Sequence, residues 1–187
     1  MRSPTVDLLV LFGSVFLLQQ LGGLLGVGPA WFALAAPLAH PWTLVTSVYA
    51  HASLTHLVAN AIALVVVGLP LERFTTRARF HAFVFVTGAL AGLAELAVGG
   101  LFGGSVAVLG ASGAILALYG YVLAGNPLAG GLLGRIDLGR RAKLLLVTGV
   151  ALLVTIVTAG TGVALVAHFT GVVLGVIAGR RRLLNVS

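Results

Sequence analysis

The sequence predicts an all-α, polytopic membrane protein, a single domain over residues 1–187 built as a bundle of six transmembrane helices. Three observations carry that prediction. The chain is 59% hydrophobic and 8% charged, against about 25% charged in a soluble globular domain, so its polar surface is too small to be wetted. Six apolar runs approach the roughly 20 residues that a membrane-crossing helix needs, at about 8–25, 54–71, 80–98, 106–124, 144–159 and 163–179. The basic residues fall only at the two ends of the chain and in alternate connections between those runs. Outer-membrane strands would alternate apolar and polar residues, whereas these runs are apolar all round. Disorder is excluded by the hydrophobicity, and the absence of cysteine excludes thiolate metal sites, disulfides and a cysteine nucleophile.

The first run, about 18 residues, exceeds the 7–15 residue core of a signal peptide and is expected to be retained. The loop that follows, 26–53, has no charge, four aromatic residues (Trp31, Phe32, Trp42, Tyr49) and three prolines (Pro29, Pro37, Pro41). Trp and Tyr favour the headgroup region, so this loop is expected to lie partly in the outer leaflet. Arg73, Arg77 and Arg79 separate spans two and three, and Arg135, Arg140, Arg141 and Lys143 separate four and five. Arg2 precedes the first span, and Arg180, Arg181 and Arg182 follow the sixth. With six spans all of these lie on one side, and loops 26–53, 99–105 and 160–162 have neither Lys nor Arg. Positive residues stay cytoplasmic, so both termini are expected inside. The net charge of +7 is a topology signal, and no nucleic-acid partner is expected. Spans five and six are short and should sit with little tilt.

Polar side chains in hydrocarbon are costly and are candidate functional groups. Counting about 1.5 Å per helical residue from the outer end of each span puts Asn60, Ser112 and His168 roughly 10 Å deep, with His56 somewhat shallower. Spans two, four and six thus bring four hydrogen-bonding side chains towards one plane. His56 and Asn60, four apart, share a helix face. His168 heads a stripe with Gly171, Gly175 and Gly179, and Ser112 stands beside a stripe of Gly113, Ala117 and Gly120. Small residues let helices approach backbone to backbone. If the stripes meet, Ser112 Oγ comes within reach of the His168 imidazole, and a serine beside a neutral imidazole base is a nucleophile for acyl transfer. Donors must then face the developing oxyanion, and Asn60, His56 and the Ser112 amide are the candidates. No acidic residue lies near that plane on these spans, which favours a dyad over a triad.

Each residue alone has a plainer reading: Ser112 as a packing residue, His168 as a relay or helix-bonding group, Asn60 as interhelical glue. Their matched depth favours a shared site. Glu95 is expected at the interface, reaching water, and His40, His51 and His81 at the surface. A proton-coupled transporter using His56, His168 and Glu95 would need polar groups through the inner leaflet, and spans four to six have almost none there.

These residues also carry a resemblance. His56-Leu-Val-Ala-Asn60, Gly110-Ala-Ser-Gly-Ala114 and Ala167-His-Phe-Thr-Gly171 with Gly175 resemble the three signatures of the rhomboid intramembrane serine proteases, in order and on spans two, four and six. The resemblance covers about 8–179 and is closest to the minimal six-helix form. It implies a serine endopeptidase with Ser112 as nucleophile, His168 as general base, and an oxyanion site from Asn60, His56 and the Ser112 amide. It implies helix packing around the site at Gly110, Gly113, Gly171 and Gly175, and a structural role for Glu72. No cofactor and no metal are implied. The implied partners are transmembrane-protein substrates, cut where helix-weakening residues expose the backbone, and the lipid bilayer. The expected location is a prokaryotic cell membrane, with the site opening to the outer side. The sequence departs from the family where Trp42 precedes Thr43 rather than Arg, and where Leu116 replaces an aromatic residue four places after the serine. The alternative is a catalytically inactive rhomboid-like protein that binds membrane clients. Oligomeric state is not legible.

Overall fold

A computed structural model describes residues 3–35, 40–101, 106–125 and 164–185, with Leu145 and Gly149 between them. The expected fifth span, 144–159, lies outside the described residues, apart from those two helical positions. The chain is an all-α polytopic membrane fold.

Helix α1, Pro4–Leu24, starts where Ser3 Oγ accepts the Val6 N–H and Pro4 takes the first helical position, where a missing N–H costs nothing. It stops at Gly26, whose φ of +81° suits a residue without Cβ. A 3-10 turn, Pro29–Trp31, leads to strand β1, Leu34–Ala35. A short helix α2, Thr43–Tyr49, follows. Helix α3, Leu54–Leu71, is capped by Ser53, whose side chain accepts the His56 N–H, and passes beyond Pro70 into a 3-10 turn, Glu72–Phe74. Helix α4 runs Arg77–Leu101, with Thr76 Oγ1 accepting the Arg79 N–H at its start.

The fourth apolar run departs from expectation. Residues 106–111 are not helical: β2, Ala107–Val108, pairs antiparallel with β1 in the register Leu34 to Val108 and Ala35 to Ala107. Helix α5 begins only at Ser112 and extends to Gly125. The cause is local. Gly110 has φ +126°, outside any helix, and its N–H donates to the Ser47 carbonyl at 2.8 Å, so α2 holds the turn that starts α5. Helix α6, Leu165–Arg180, likewise begins slightly later than expected. Arg182, at φ +53°, closes it: its N–H meets the Gly179 carbonyl and the Leu183 N–H meets Ala178, a Schellman arrangement.

The core lies between α1, α3, α4 and α5, around Leu8, Phe12, Leu64, Leu71, Phe80, Val84, Leu118 and Tyr121. Leu184, beyond α6, is buried against the same cluster. Tyr121 Oη donates to Asn185 Oδ1 at 2.8 Å and accepts the Leu184 N–H. Arg79 donates to the Asn185 carbonyl. The end of the described chain is thereby stitched to one end of the bundle. Glu72 at that end accepts from Ser3 Oγ at 2.7 Å and from the Thr5 N–H at 3.1 Å, and Asp7 pairs with Arg77 and lies 3.3 Å from His81.

Helices α5 and α6 meet through their small-residue stripes. A Cβ on Gly171 would land on the Gly113 carbonyl, one on Gly175 on the Ala117 carbonyl, and one on Gly179 on the Tyr121 carbonyl. Across the same seam Gly120 faces Val172 and Gly175. Such contact is available only to glycine, and in lipid, where burial of apolar area drives little association, it is the close van der Waals packing that holds helices together.

Candidate active site

The α5–α6 seam sets the separation of two side chains. Ser112 is the first residue of α5 and His168 the fourth of α6, and Ser112 Oγ lies 2.7 Å from His168 Nε2. His168 is 5% exposed. Its Nδ1 has no hydrogen-bond partner among the described residues, so no third side chain there orients the ring.

Ser112 stands at the positive end of a helix. The first α-helical bond of α5 is Ile115 N–H to the Ala111 carbonyl, which leaves the amides of Ser112, Gly113 and Ala114 without partners inside the helix. Orphan amides and the helix dipole both favour a negative charge placed there. Asn60 and His56, on α3, line the same cavity as Ser112 and His168. Asn60 Nδ2 donates to the His56 carbonyl at 2.9 Å. A carboxamide has two N–H groups, so one remains for a ligand. The His56 ring packs on Gly110, where an added Cβ would stand 2.7 Å from Cε1. Gly110 therefore serves as a turn and a platform, not as the helix-packing glycine expected; Gly113, Gly171 and Gly175 do lie in helix contacts.

Three expectations need correction. Ser112 and His168 sit in the first turns of their helices, not more than a turn inside, because 106–111 is extended and α6 starts at Leu165. His168 lies about 18 Å along α6 from Arg180. His51 is not a surface residue: it is 1% exposed, between the rings of Phe12 and His56, at centroid distances of 5.0 and 5.2 Å. Its backbone N–H donates to Gln19 Oε1 at 3.0 Å. Glu95 does not simply reach water. Its Oε2 accepts the Ala167 N–H at 2.8 Å, one residue before His168.

His40 is half-buried and stacks on both Trp31 and Trp42, at 5.0 and 4.6 Å, in a three-ring cluster whose indoles are 5.1 Å apart. His81 is half-buried beside Asp7. Thr43, the first departure, is buried and donates to the His40 carbonyl at 2.6 Å. Leu116, the second, packs with Val172 of α6, and Tyr119 Oη donates to the Ala63 carbonyl of α3 at 3.1 Å. No cluster of three or more His, Asp or Glu side chains among the described residues is arranged to hold a metal ion.

Fold and site together define a polytopic helical membrane protein with a half-buried serine beside a buried histidine near one end of its bundle. The Rhomboid domain matches residues 38–184, and the chain belongs to the rhomboid family, a family of intramembrane proteases. Comparison with the curated proteins returns no match.

Proposed function

We propose that this protein is an intramembrane serine endopeptidase that cleaves peptide bonds in or beside the transmembrane segments of other membrane proteins. The observation that carries this reading is the 2.7 Å contact of Ser112 Oγ with His168 Nε2. Family membership at the level of the whole domain supports it.

In the proposed reaction, His168 Nε2 accepts the Ser112 hydroxyl proton as Oγ attacks the scissile carbonyl. The resulting oxyanion is met by the Ser112 amide at the start of α5, with Asn60 Nδ2 and the His56 ring as further donors. The protonated imidazole then gives its proton to the leaving amine, and water repeats the sequence on the acyl-enzyme. A helical substrate must unwind first, because its carbonyls are engaged in its own hydrogen bonds. The site is read as opening outwards. Supporting this, His56 and His168 stand near the starts of α3 and α6, while Arg73, Arg77, Arg79 and Arg180–Arg182 stand at the opposite ends of the same helices or beside them. On this reading both termini face the cytoplasm.

The test is cleavage of a fluorescent transmembrane reporter by the purified protein in detergent, beside Ser112→Ala and His168→Ala. Each variant is expected to lose cleavage by at least about 10³-fold while remaining folded. Equal cleavage by all three proteins sinks the proposal. Reporter binding without cleavage by the wild type favours the client-binding alternative.

A further inference from the structure

His168 has a problem that Ser112 does not. Its ring is held at Nε2 by the serine alone, and Nδ1 has no partner among the described residues. The direction of the imidazole therefore depends on where the main chain puts residue 168. The glycine seam fixes α6 laterally from Gly171 onwards, but the turn before it has a weak beginning. The residue flanking it, Ala164, has φ −74° and ψ 83° and offers no side-chain cap, and alanine is a poor residue there.

Glu95 supplies what Ala164 lacks. Its Oε2 accepts the Ala167 N–H at 2.8 Å, across 72 residues of sequence. Ala167 is the third helical residue of α6, one of the amides that no intrahelical carbonyl can satisfy. Its carbonyl in turn lies 3.4 Å from where a Cβ on Gly113 would stand. The peptide units leading into His168 are thus held from two sides, by α4 through a hydrogen bond and by α5 through contact. A carboxylate at this position also complements the positive end of the α6 dipole.

We propose that Glu95 is a positioning residue for His168, acting through the main chain of α6: the carboxylate that a triad would place on the imidazole is here placed on the preceding amide. This inference rests on the proteolytic reading above for its kinetic consequence, though not for its structural one. What it requires is an acceptor of the right length at 95, rather than a charge.

The experiment compares full-length wild type, Glu95→Ala, Glu95→Gln and Ser112→Ala, with Asn185→Ala as a variant that loosens the opposite end of the bundle. Two readouts are taken: kcat and KM on the transmembrane reporter, and amide hydrogen exchange over residues 165–168. Glu95→Ala is expected to lower kcat about ten- to a hundredfold, to change KM less than about twofold, and to speed exchange at 165–168. Glu95→Gln, which keeps an acceptor oxygen, is expected to retain both properties. Asn185→Ala is expected to lose stability without losing kcat. Where Glu95→Ala fails to fold, Glu95→Asp, one methylene short, replaces it. Wild-type kcat and exchange in the shortened or truncated variant overturn the proposal, as does a loss in Glu95→Gln equal to that in Glu95→Ala. If the wild type does not cleave, the proteolytic reading fails separately, and exchange at 165–168 still decides whether Glu95 holds α6.

Discussion

Asn60 spends one amide N–H inside its own helix, on the His56 carbonyl, and makes no side-chain hydrogen bond to another helix among the described residues. Its replacement should therefore separate chemistry from folding. Asn60→Ala is expected to lower kcat by about a hundredfold, the usual cost of removing an oxyanion donor, with little change in the thermal midpoint in detergent. A large drop in stability with unchanged kcat would instead assign Asn60 to packing. At this scale the sequence was informative where a polar group stood in an apolar run, as for Asn60, Ser112 and His168. It was misleading for His51 and Glu95. Nothing in the neighbourhood of His51 signals that Phe12, from a helix 39 positions earlier, covers its ring. Nothing near Glu95 signals that its carboxylate meets the Ala167 amide.

Between elements, the contact that matters is α5 on α6. Gly171→Ala places a methyl on the Gly113 carbonyl, and overpacking of this kind costs about 1–3 kcal/mol. Because Gly171 is one turn from His168, activity should fall further than stability does. Gly13→Ala, inside α1 with nothing within 4 Å of the added Cβ, should leave cleavage unchanged and not lower stability, since alanine is the better helix former; thermal unfolding and reporter cleavage measured on both variants check this. At the other end of α6 the order reverses. Leu184→Ala, which empties a 2% exposed position in the core, is expected to cost about 2–5 kcal/mol and leave kcat of the folded protein intact. Arg182→Gly removes the cost of a left-handed residue, about 1 kcal/mol, and is expected to raise the thermal midpoint. The glycine stripes were legible because their spacing is a helical period. The start of α5 was not, since 106–111 is apolar enough to pass for helix, and only Gly110 and the pairing of β2 with β1 stop it.

For the molecule as a whole, the proposed orientation has a direct test that the absence of cysteine makes clean. Single cysteines at Ala52, before α3, and Ala78, in the first turn of α4, lie at opposite ends of the bundle and are exposed. In sealed cells Ala52→Cys should react with a membrane-impermeant maleimide and Ala78→Cys only after permeabilisation. The reverse pattern would place the site on the cytoplasmic side. The fold makes a second demand. On the proposed reading, extended backbone at 106–111 and the open amides of α5 need protein or a water-filled cavity around them, and the cavity lined by Ser112, His168, Asn60 and His56 also borders Ala107–Gly110.

The membrane class, most of the helix positions and the choice of Ser112 and His168 as a candidate pair were legible in the chain before folding. Composition, run length and helical spacing are local properties that a chain carries before it folds. That 106–111 is strand and turn, that His51 is buried and that Glu95 caps α6 emerge only from the folded arrangement. Each of those depends on a partner tens of residues away in sequence, and a hydrogen bond or a covered ring is a property of two segments together, written in neither alone.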